Sequence, residues 1–261
     1  MKVVVKIGGA ALDDKKLLHD CSAAVAGLAQ QGHHVAVVHG GGAELTRTLK
    51  QLGLTSTFVD GLRVTDEQTR DVALMVLAGR VNKRLVGSLD AAGQPAVGMC
   101  GGDGASFRAR KRNSNGVDLG FVGEICFVDP RWIEAIWGIG GVPVISSLAM
   151  GLGGEFYNIN ADQMASACAA ACQADALIFL TDVAGVRGAD GNVIRWLTVP
   201  DISNLERNAV ISGGMLPKLE ACKQALQKGV KRIRILSATQ AGVLPEFYVM
   251  KVDGGTEVTA A

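Results

Sequence analysis

Two lysines, an aspartate, two asparagines and an arginine stand in this chain beside glycines or helix starts, a combination suited to handling phosphate. Lys6 lies inside the apolar run Lys2-Val-Val-Val-Lys-Ile7 and is followed at once by Gly8 and Gly9. A strand covered on both faces reads as a nearly continuous apolar run, so a charge inside one is costly unless something uses it. Lysine is a compact point charge that suits phosphate, and glycines after a strand let backbone N–H groups approach an anion. The same lysine could equally be an edge residue whose ammonium snorkels to solvent.

Gly213-Gly-Met-Leu-Pro-Lys218 repeats the theme of glycines followed by a lysine, now at a helix start. A cation at a helix N-terminus opposes the dipole, so Lys218 asks for an anion. In Asn158-Ile-Asn-Ala-Asp162 the acid falls in a first helical turn, where a capping or dipole-matching role is the ordinary one. Asn158 and Asn160 alternate on an extended stretch, so both amides can face one ligand. His39-Gly-Gly-Gly42 closes a strand and opens a helix, which makes an anion seat or simply a tight turn. His39 reads more simply as a local hydrogen-bonding residue than as a general base. Arg63, in Gly61-Leu-Arg-Val-Thr65, could clamp a carboxylate bidentately or pair on the surface. Neither a P-loop nor a GxGxxG pattern occurs, so a nucleotide must be held another way. This set suits phosphoryl transfer, in which the protein mainly positions groups and neutralises charge. An acceptor already ionised at neutral pH, such as a carboxylate, needs no general base.

These residues need a scaffold of alternating strands and helices, and the sequence has its pattern. Apolar runs at 3–7, 35–38, 96–99, 142–146, 176–181 and 231–236 read as strands. They alternate with helical periodicity at 14–31, from Gly42 to about Leu52, and at 66–92, 161–173, 202–208 and 215–228. Residues 256–259 read as a last edge strand. The 106–128 region reads as a β-hairpin with basic Arg108, Arg110, Lys111 and Arg112 and a polar turn, Asn113-Ser-Asn-Gly116. No aromatic platform interleaves these charges, so a solvated hairpin fits better than a nucleic-acid patch. A chain with 48% hydrophobic but only 5% aromatic residues and 34 glycines suits an α/β enzyme with many tight strand-to-helix turns. Its net charge of +1 gives no case for nucleic-acid or membrane partners, and no apolar run reaches the roughly 18 residues of a membrane span. Of the six cysteines none forms a CxxC pair, and Cys168 and Cys172 read as buried thiols of a small-residue helix in a reducing cytosol.

Taken in order, Lys6-Ile-Gly-Gly9, His39-Gly-Gly-Gly42, Gly61-Leu-Arg-Val-Thr65, Asp118-Leu-Gly-Phe-Val-Gly-Glu124, Asn158-Ile-Asn-Ala-Asp162, Thr181-Asp-Val-Ala-Gly185 and Gly213-Gly-Met-Leu-Pro-Lys218 resemble the motifs of the amino acid kinase family. The match spans essentially the whole chain and is nearest to the branch acting on N-acetylglutamate. It implies a three-layer αβα sandwich around a mainly parallel central sheet, with a projecting β-hairpin lid. It implies one domain over 1–261, with an N-lobe of about 1–155 for the acyl amino acid and dimerisation and a C-lobe of about 156–261 for ATP. The activity implied is ATP-dependent phosphorylation of the side-chain carboxylate of N-acetyl-L-glutamate, the second step of arginine biosynthesis.

By the same resemblance, Lys6 and Lys218 stabilise the transition state and Asp162 organises them. Gly41, Gly42, Arg63, Asn158 and Asn160 would bind the acyl amino acid, with Arg63 on its α-carboxylate. The nucleotide would lie against Gly8, Gly9, Asp182, Val183, Gly185, Val186 and Arg187, and against Val210, Ile211 and Ser212. Mg²⁺ would travel with the ATP phosphates, with no dedicated metal site and no tightly bound cofactor. A cytoplasmic homodimer is implied, without nucleic-acid or membrane partners. Arginine-inhibited relatives carry an extra N-terminal helix that interlaces dimers into hexamers. This chain begins at its first strand, so the expectation is a dimer insensitive to arginine. The rival readings are an aminoadipate-type kinase acting on a carrier-protein-linked substrate and a catalytically silent nucleotide sensor.

Overall fold

Lys2–Ile7 (β1) is a strand with five of its six residues buried, and it lies in the interior of an eight-stranded sheet. The computed structural model describes residues 1–112, 116–211, 213–246 and 254–261. Besides a small antiparallel pair, Phe58–Val59 and Leu62–Arg63, the strands following β1 are β2 (His34–His39), β3 (Ala96–Met99), β4 (Phe107–Lys111), β5 (Gly123–Val128), β6 (Val142–Ser146) and β7 (Leu148–Met150). Then come β8 (Phe156–Asn158), β9 (Ala176–Thr181), β10 (Trp196–Thr198), β11 (Arg232–Ser237) and β12 (Thr256–Thr259). The large sheet runs β10-β12-β11-β9-β1-β2-β6-β3, parallel throughout except between β11 and β12. Residues 256–259 therefore do not form the edge; the short strand β10, unmarked by any clear periodicity, lies outside them.

Alternation along β1 builds the layers. Val3, Val5 and Ile7 pack under α1 (Lys15–Gln30), α2 (Gly42–Gln51) and the long helix α3 (67–91), while Val4 faces α4 (Arg131–Gly138), α5 (Ala161–Ala171) and α7 (Met215–Gln227). A further helix, α6 (Val199–Arg207), starts at a capping box made by Thr198 and Asp201. This is the expected three-layer sandwich. Period two puts Lys6 on the same face as Val4, toward α5 and α7. The α4 helix goes beyond the sequence reading; its buried residues, Ile133 and Trp137, are too few to stand out as a periodic pattern.

The long helix α3 runs continuously through Glu67–Ala73, Leu74–Val81 and Asn82–Ala91, and its middle segment is wound as a π-helix. Such wider turns inside α-helices often mark functional sites. Leu77 and Val81 press on the β2–α2 loop so closely that a Cβ on Gly41 would lie 2.8 Å from Leu77 Cδ2.

The hairpin strands β4 and β5 belong to a second sheet, β8-β7-β4-β5. Phe107 and Ala109 anchor the hairpin in the core. Two of its basic residues are paired, Arg110 with Glu124 and Lys111 with Asp118, each at 2.6 Å, as a solvated hairpin requires. Asn113-Ser-Asn115 of the expected polar turn lie outside the described residues.

One segment holds two parts of the site at a fixed spacing. Thr65 N–H donates to Leu119 O at 3.0 Å, Phe121 N–H to Thr65 O at 2.6 Å, and Asn158 N–H to Phe121 O at 2.8 Å. Residues 119–122 are thus stitched between the strand bearing Arg63 and the strand bearing Asn158. Gly120 permits this: its φ is +68°, and a Cβ there would lie 2.2 Å from Thr65 O. Gly120→Ala is expected to lower stability by roughly 1–3 kcal/mol, read from the denaturant midpoint; an unchanged midpoint would contradict this reading of the stitch.

Candidate active site

Helix α5 begins at Asn160, whose side-chain oxygen accepts from the N–H groups of Asp162 (2.9 Å) and Gln163 (3.2 Å). Because Asn160 makes the cap, the carboxylate of Asp162 is released from the capping role its position suggested. It lies between two ammonium groups, with Lys6 Nζ 2.9 Å from Oδ1 and Lys218 Nζ 2.9 Å from Oδ2. All three side chains are about nine-tenths buried (11%, 10% and 7% exposed for Lys6, Asp162 and Lys218). Lys6 therefore does not snorkel. Lys218 comes from the start of α7, where Gly214 offers no side-chain cap, and its ammonium lies 5.0 Å from the Phe179 ring centroid. Strand β1, helix α5 and helix α7 thus each deliver one charge to a single point.

Two cations and one anion leave this buried cluster with a net charge of +1. Burial alone would push the Asp162 carboxyl up, but the ammonium groups of Lys6 and Lys218 overcome it and hold the pKa at about 2. Lys218 is shifted down, first by burial and then by repulsion from Lys6, against the attraction of Asp162. A buried surplus cation is satisfied by an incoming anion.

That anion has a route. A cleft of about 250 Å³ is lined by Lys6, Gly40, Gly42, Arg63, Asn158 and Asp162, with apolar walls that include Leu45 and Leu77. Arg63, on the same lining, is 7% exposed. Its guanidinium donates to Ser56 Oγ, to Thr46 Oγ1 at 2.7 Å and to Gly42 O at 3.1 Å, and lies 4.6 Å from the Phe58 ring centroid. Among the described residues Arg63 has only neutral acceptors, and burial lowers its pKa. Asn158 also lines the cleft, its amide 3.4 Å from Thr65 Oγ1. A cleft lined by two buried cations, Lys6 and Arg63, and by an amide donor fits a molecule bearing two carboxylates.

Other sequence-selected residues fall in different places. Asn160 lines the cleft, but its oxygen is occupied by the cap, leaving only its amide nitrogen for a ligand. Gly41 is buried, between the lining residues Gly40 and Gly42, at a φ of +146°. Gly8 already donates its N–H to Leu180 O at 2.9 Å, so of the pair only Gly9, at a helix start, has a backbone donor to offer. A Cβ on Gly8 would lie 3.5 Å from Lys6 Nζ, so this glycine keeps room at the ammonium. Beyond β9, Asp182 and Arg187 are exposed and Val183 is half-buried, while Val186 and Ile211 are buried and Val210 is half-buried. Gly185, at φ +154°, packs on Thr256, whose Oγ1 accepts from Val186 N–H at 2.8 Å. Ser212 lies outside the described residues.

Sequence reasoning passed over Phe58, Leu77 and Ser147 on the cleft wall. Only Phe58, three residues before the Gly61-Leu-Arg motif, carried a usable signal, an aromatic ring within reach of an arginine. Cys168 and Cys172 are buried and free, as expected.

The charge cluster gives a direct prediction. The folded pKa of Asp162 lies below its ordinary 3.8, so the stability it contributes is present above about pH 4 and lost as pH falls through about 2. Carbon-13 NMR of the Asp162 carboxyl should show it ionised down to about pH 2; a midpoint near 3.8 would mean the lysines do not hold it.

Residues 1–237 match the model of the amino acid kinase family. An acetylglutamate kinase of Acidobacterium capsulatum is 63% identical over 261 residues, covering 100% of both chains. One from Koribacter versatilis is 57% identical over 260 residues, covering 100% of this chain and 99% of the other. Among solved structures, smu.665 from Streptococcus mutans UA159 superposes with a TM-score of 0.85 at 27% identity, covering 100% of this chain and 99% of that one. No helix among the described residues is long and apolar enough to cross a membrane.

Proposed function

This chain belongs to the amino acid kinase family, and on that premise we propose that it phosphorylates the side-chain carboxylate of N-acetyl-L-glutamate with ATP, giving N-acetylglutamyl 5-phosphate and ADP. The reaction is the second step of arginine biosynthesis. The observation that carries this reading is the cleft itself, lined by Arg63 and by Lys6 and Asp162, with Lys218 bonded to Asp162 behind them. N-Acetylglutamate has two carboxylates at the ends of a short chain and one amide between them. In this assignment Arg63 holds the α-carboxylate bidentately, Asn158 meets the acetamido group, and the side-chain carboxylate points at the lysines.

A carboxylate oxygen then attacks the γ-phosphorus, the bond to the bridging oxygen breaks, and ADP leaves with the electron pair. No proton is removed, because the acceptor is already ionised. Lys6 and Lys218 meet negative charge on the phosphoryl oxygens and on the departing phosphate, and Asp162 holds them together and aimed. The N-H groups of Gly9 and of the α2 N-terminus near Gly42 are further donors.

We assign the nucleotide to the 156–261 half, along Asp182, Val183, Gly185, Val186 and Arg187 and along Val210, Ile211 and Ser212, and the acyl amino acid to the 1–155 half. Mg²⁺ enters as part of the nucleotide substrate, and supply of ATP puts the enzyme in the cytoplasm. A homodimer is part of the same proposal, and β3, whose outer edge is unpaired among the described residues and whose Val97 is 41% exposed, supports it.

Hydroxylamine trapping tests the reaction. With ATP, Mg²⁺ and N-acetylglutamate the protein should yield a hydroxamate, and no signal with that acid, or signal only with a carrier-linked one, would sink the proposal. Lys218→Ala should lower kcat by at least about a hundredfold while changing the KM for the acid far less. Arg63→Ala should do the reverse, raising that KM about tenfold or more. If the two patterns were exchanged, the roles assigned to Lys218 and Arg63 would be wrong.

A further inference from the structure

The glycine loop between β2 and α2 is held from beneath by a polar pair that the chemistry above does not use. His39 is fully buried at the end of β2. Its Nδ1 lies 2.7 Å from Gly40 O, and its Nε2 lies 3.0 Å from Asn82 Nδ2. The orientation of the Asn82 amide is set independently, because its nitrogen also donates to Val144 O at 2.9 Å. A carbonyl only accepts and an amide nitrogen only donates, so the ring is neutral with its hydrogen on Nδ1 and a bare Nε2. Burial favours the same state. It draws the imidazole pKa down to about 4, with the Gly40 hydrogen bond opposing and the charge of Arg84 adding.

The consequence follows from peptide geometry. Gly40 C=O and Gly41 N–H belong to one planar trans peptide and point in opposite directions. Anchoring the Gly40 oxygen on a ring inside the protein turns the Gly41 N–H away from the interior, toward the cleft that Gly40 and Gly42 line. Asn82 is delivered to this spot as the first residue after the π-wound segment of α3. Space for its amide is kept by Gly98 on β3, where a Cβ would fall 1.9 Å from Asn82 Oδ1. The Leu77 and Val81 side chains press on the other side of the loop at Gly41.

We infer that His39 and Asn82 are positioning residues for the acyl-amino-acid subsite. Asn82 fixes the His39 tautomer, and His39 Nδ1–H holds the Gly40 peptide so that the Gly41 and Gly42 N–H groups face the bound acid. The inference rests on the proposed function, and neither side chain touches the substrate.

Two substitutions separate this role from mere packing. His39→Asn sets an amide where Nδ1 stands, whereas His39→Gln sets one where Nε2 stands. H39Q should raise the KM for N-acetylglutamate about tenfold, with kcat and the KM for ATP changed less than about twofold. H39N should recover most of that loss. A side chain that only filled space would be better replaced by the larger glutamine, so H39Q performing as well as H39N overturns the inference. Nitrogen-15 NMR of the unaltered protein gives a second reading that needs no variant to fold: the His39 proton is expected on Nδ1, and a proton on Nε2 overturns the inference. Failure of the unaltered protein to phosphorylate N-acetylglutamate would defeat the functional reading instead, and the NMR result would still decide the tautomer.

Discussion

Everything in this site depends on one carboxylate shared between two buried lysines. Removing one member of a buried ion pair strands its partner and costs about 3–5 kcal/mol. Here the constraint is sharper, because the 2:1 charge ratio leaves a surplus even when every member is present. Lys6 and Lys218 repel each other, and Asp162 holds them together at 2.9 Å from each of its oxygens. The three residues come from β1, α5 and α7, so the central sheet and two helices must dock correctly before the cluster exists. Once formed it is a fixed positive site with little solvent around it, which is the state an oncoming phosphoryl group needs.

The remainder of the cleft follows from placing a second buried cation on the same lining as the first. Arg63 is buried on neutral acceptors, and the 119–122 segment ties its strand to that of Asn158 through three backbone hydrogen bonds. The placing of Arg63 relative to Asn158 is therefore written into backbone pairing rather than into flexible side chains. The glycine loop, which Arg63 also touches at Gly42 O, is clamped between the π-wound part of α3 and the His39–Asn82 pair. The arginine and the loop are thus both set by buried groups.

The sequence disclosed the charged residues and concealed what aims them. Lys6 stood out because a lysine in an apolar strand is costly, and Lys218 because a cation at a helix start opposes the dipole. The main strands and the long helices were likewise plain from their periodicity. Asp162 was ambiguous, since a first-turn acid is normally a cap, and only the capping by Asn160 shows that its carboxylate is free for the lysines. Asn82 was invisible as a partner of His39, 43 residues away along the chain, because nothing local distinguishes a buried asparagine from one on a solvated helix face. The same holds for Thr65 and the 119–122 stitch, which are cross-chain backbone pairings without a side-chain signature. Helix α4 and strand β10 were missed because short elements with few buried positions carry weak patterns.

The most direct measurement is a double-mutant cycle in kcat between Asp162 and Lys218, with Asp162→Asn, Lys218→Ala and the double variant assayed on N-acetylglutamate and MgATP. If the acid works by aiming the lysines, the double variant should be little worse than the poorer single one, because the second change removes a group already misplaced. Losses that multiply would contradict the account, since each residue would then act on its own rather than as part of one cage.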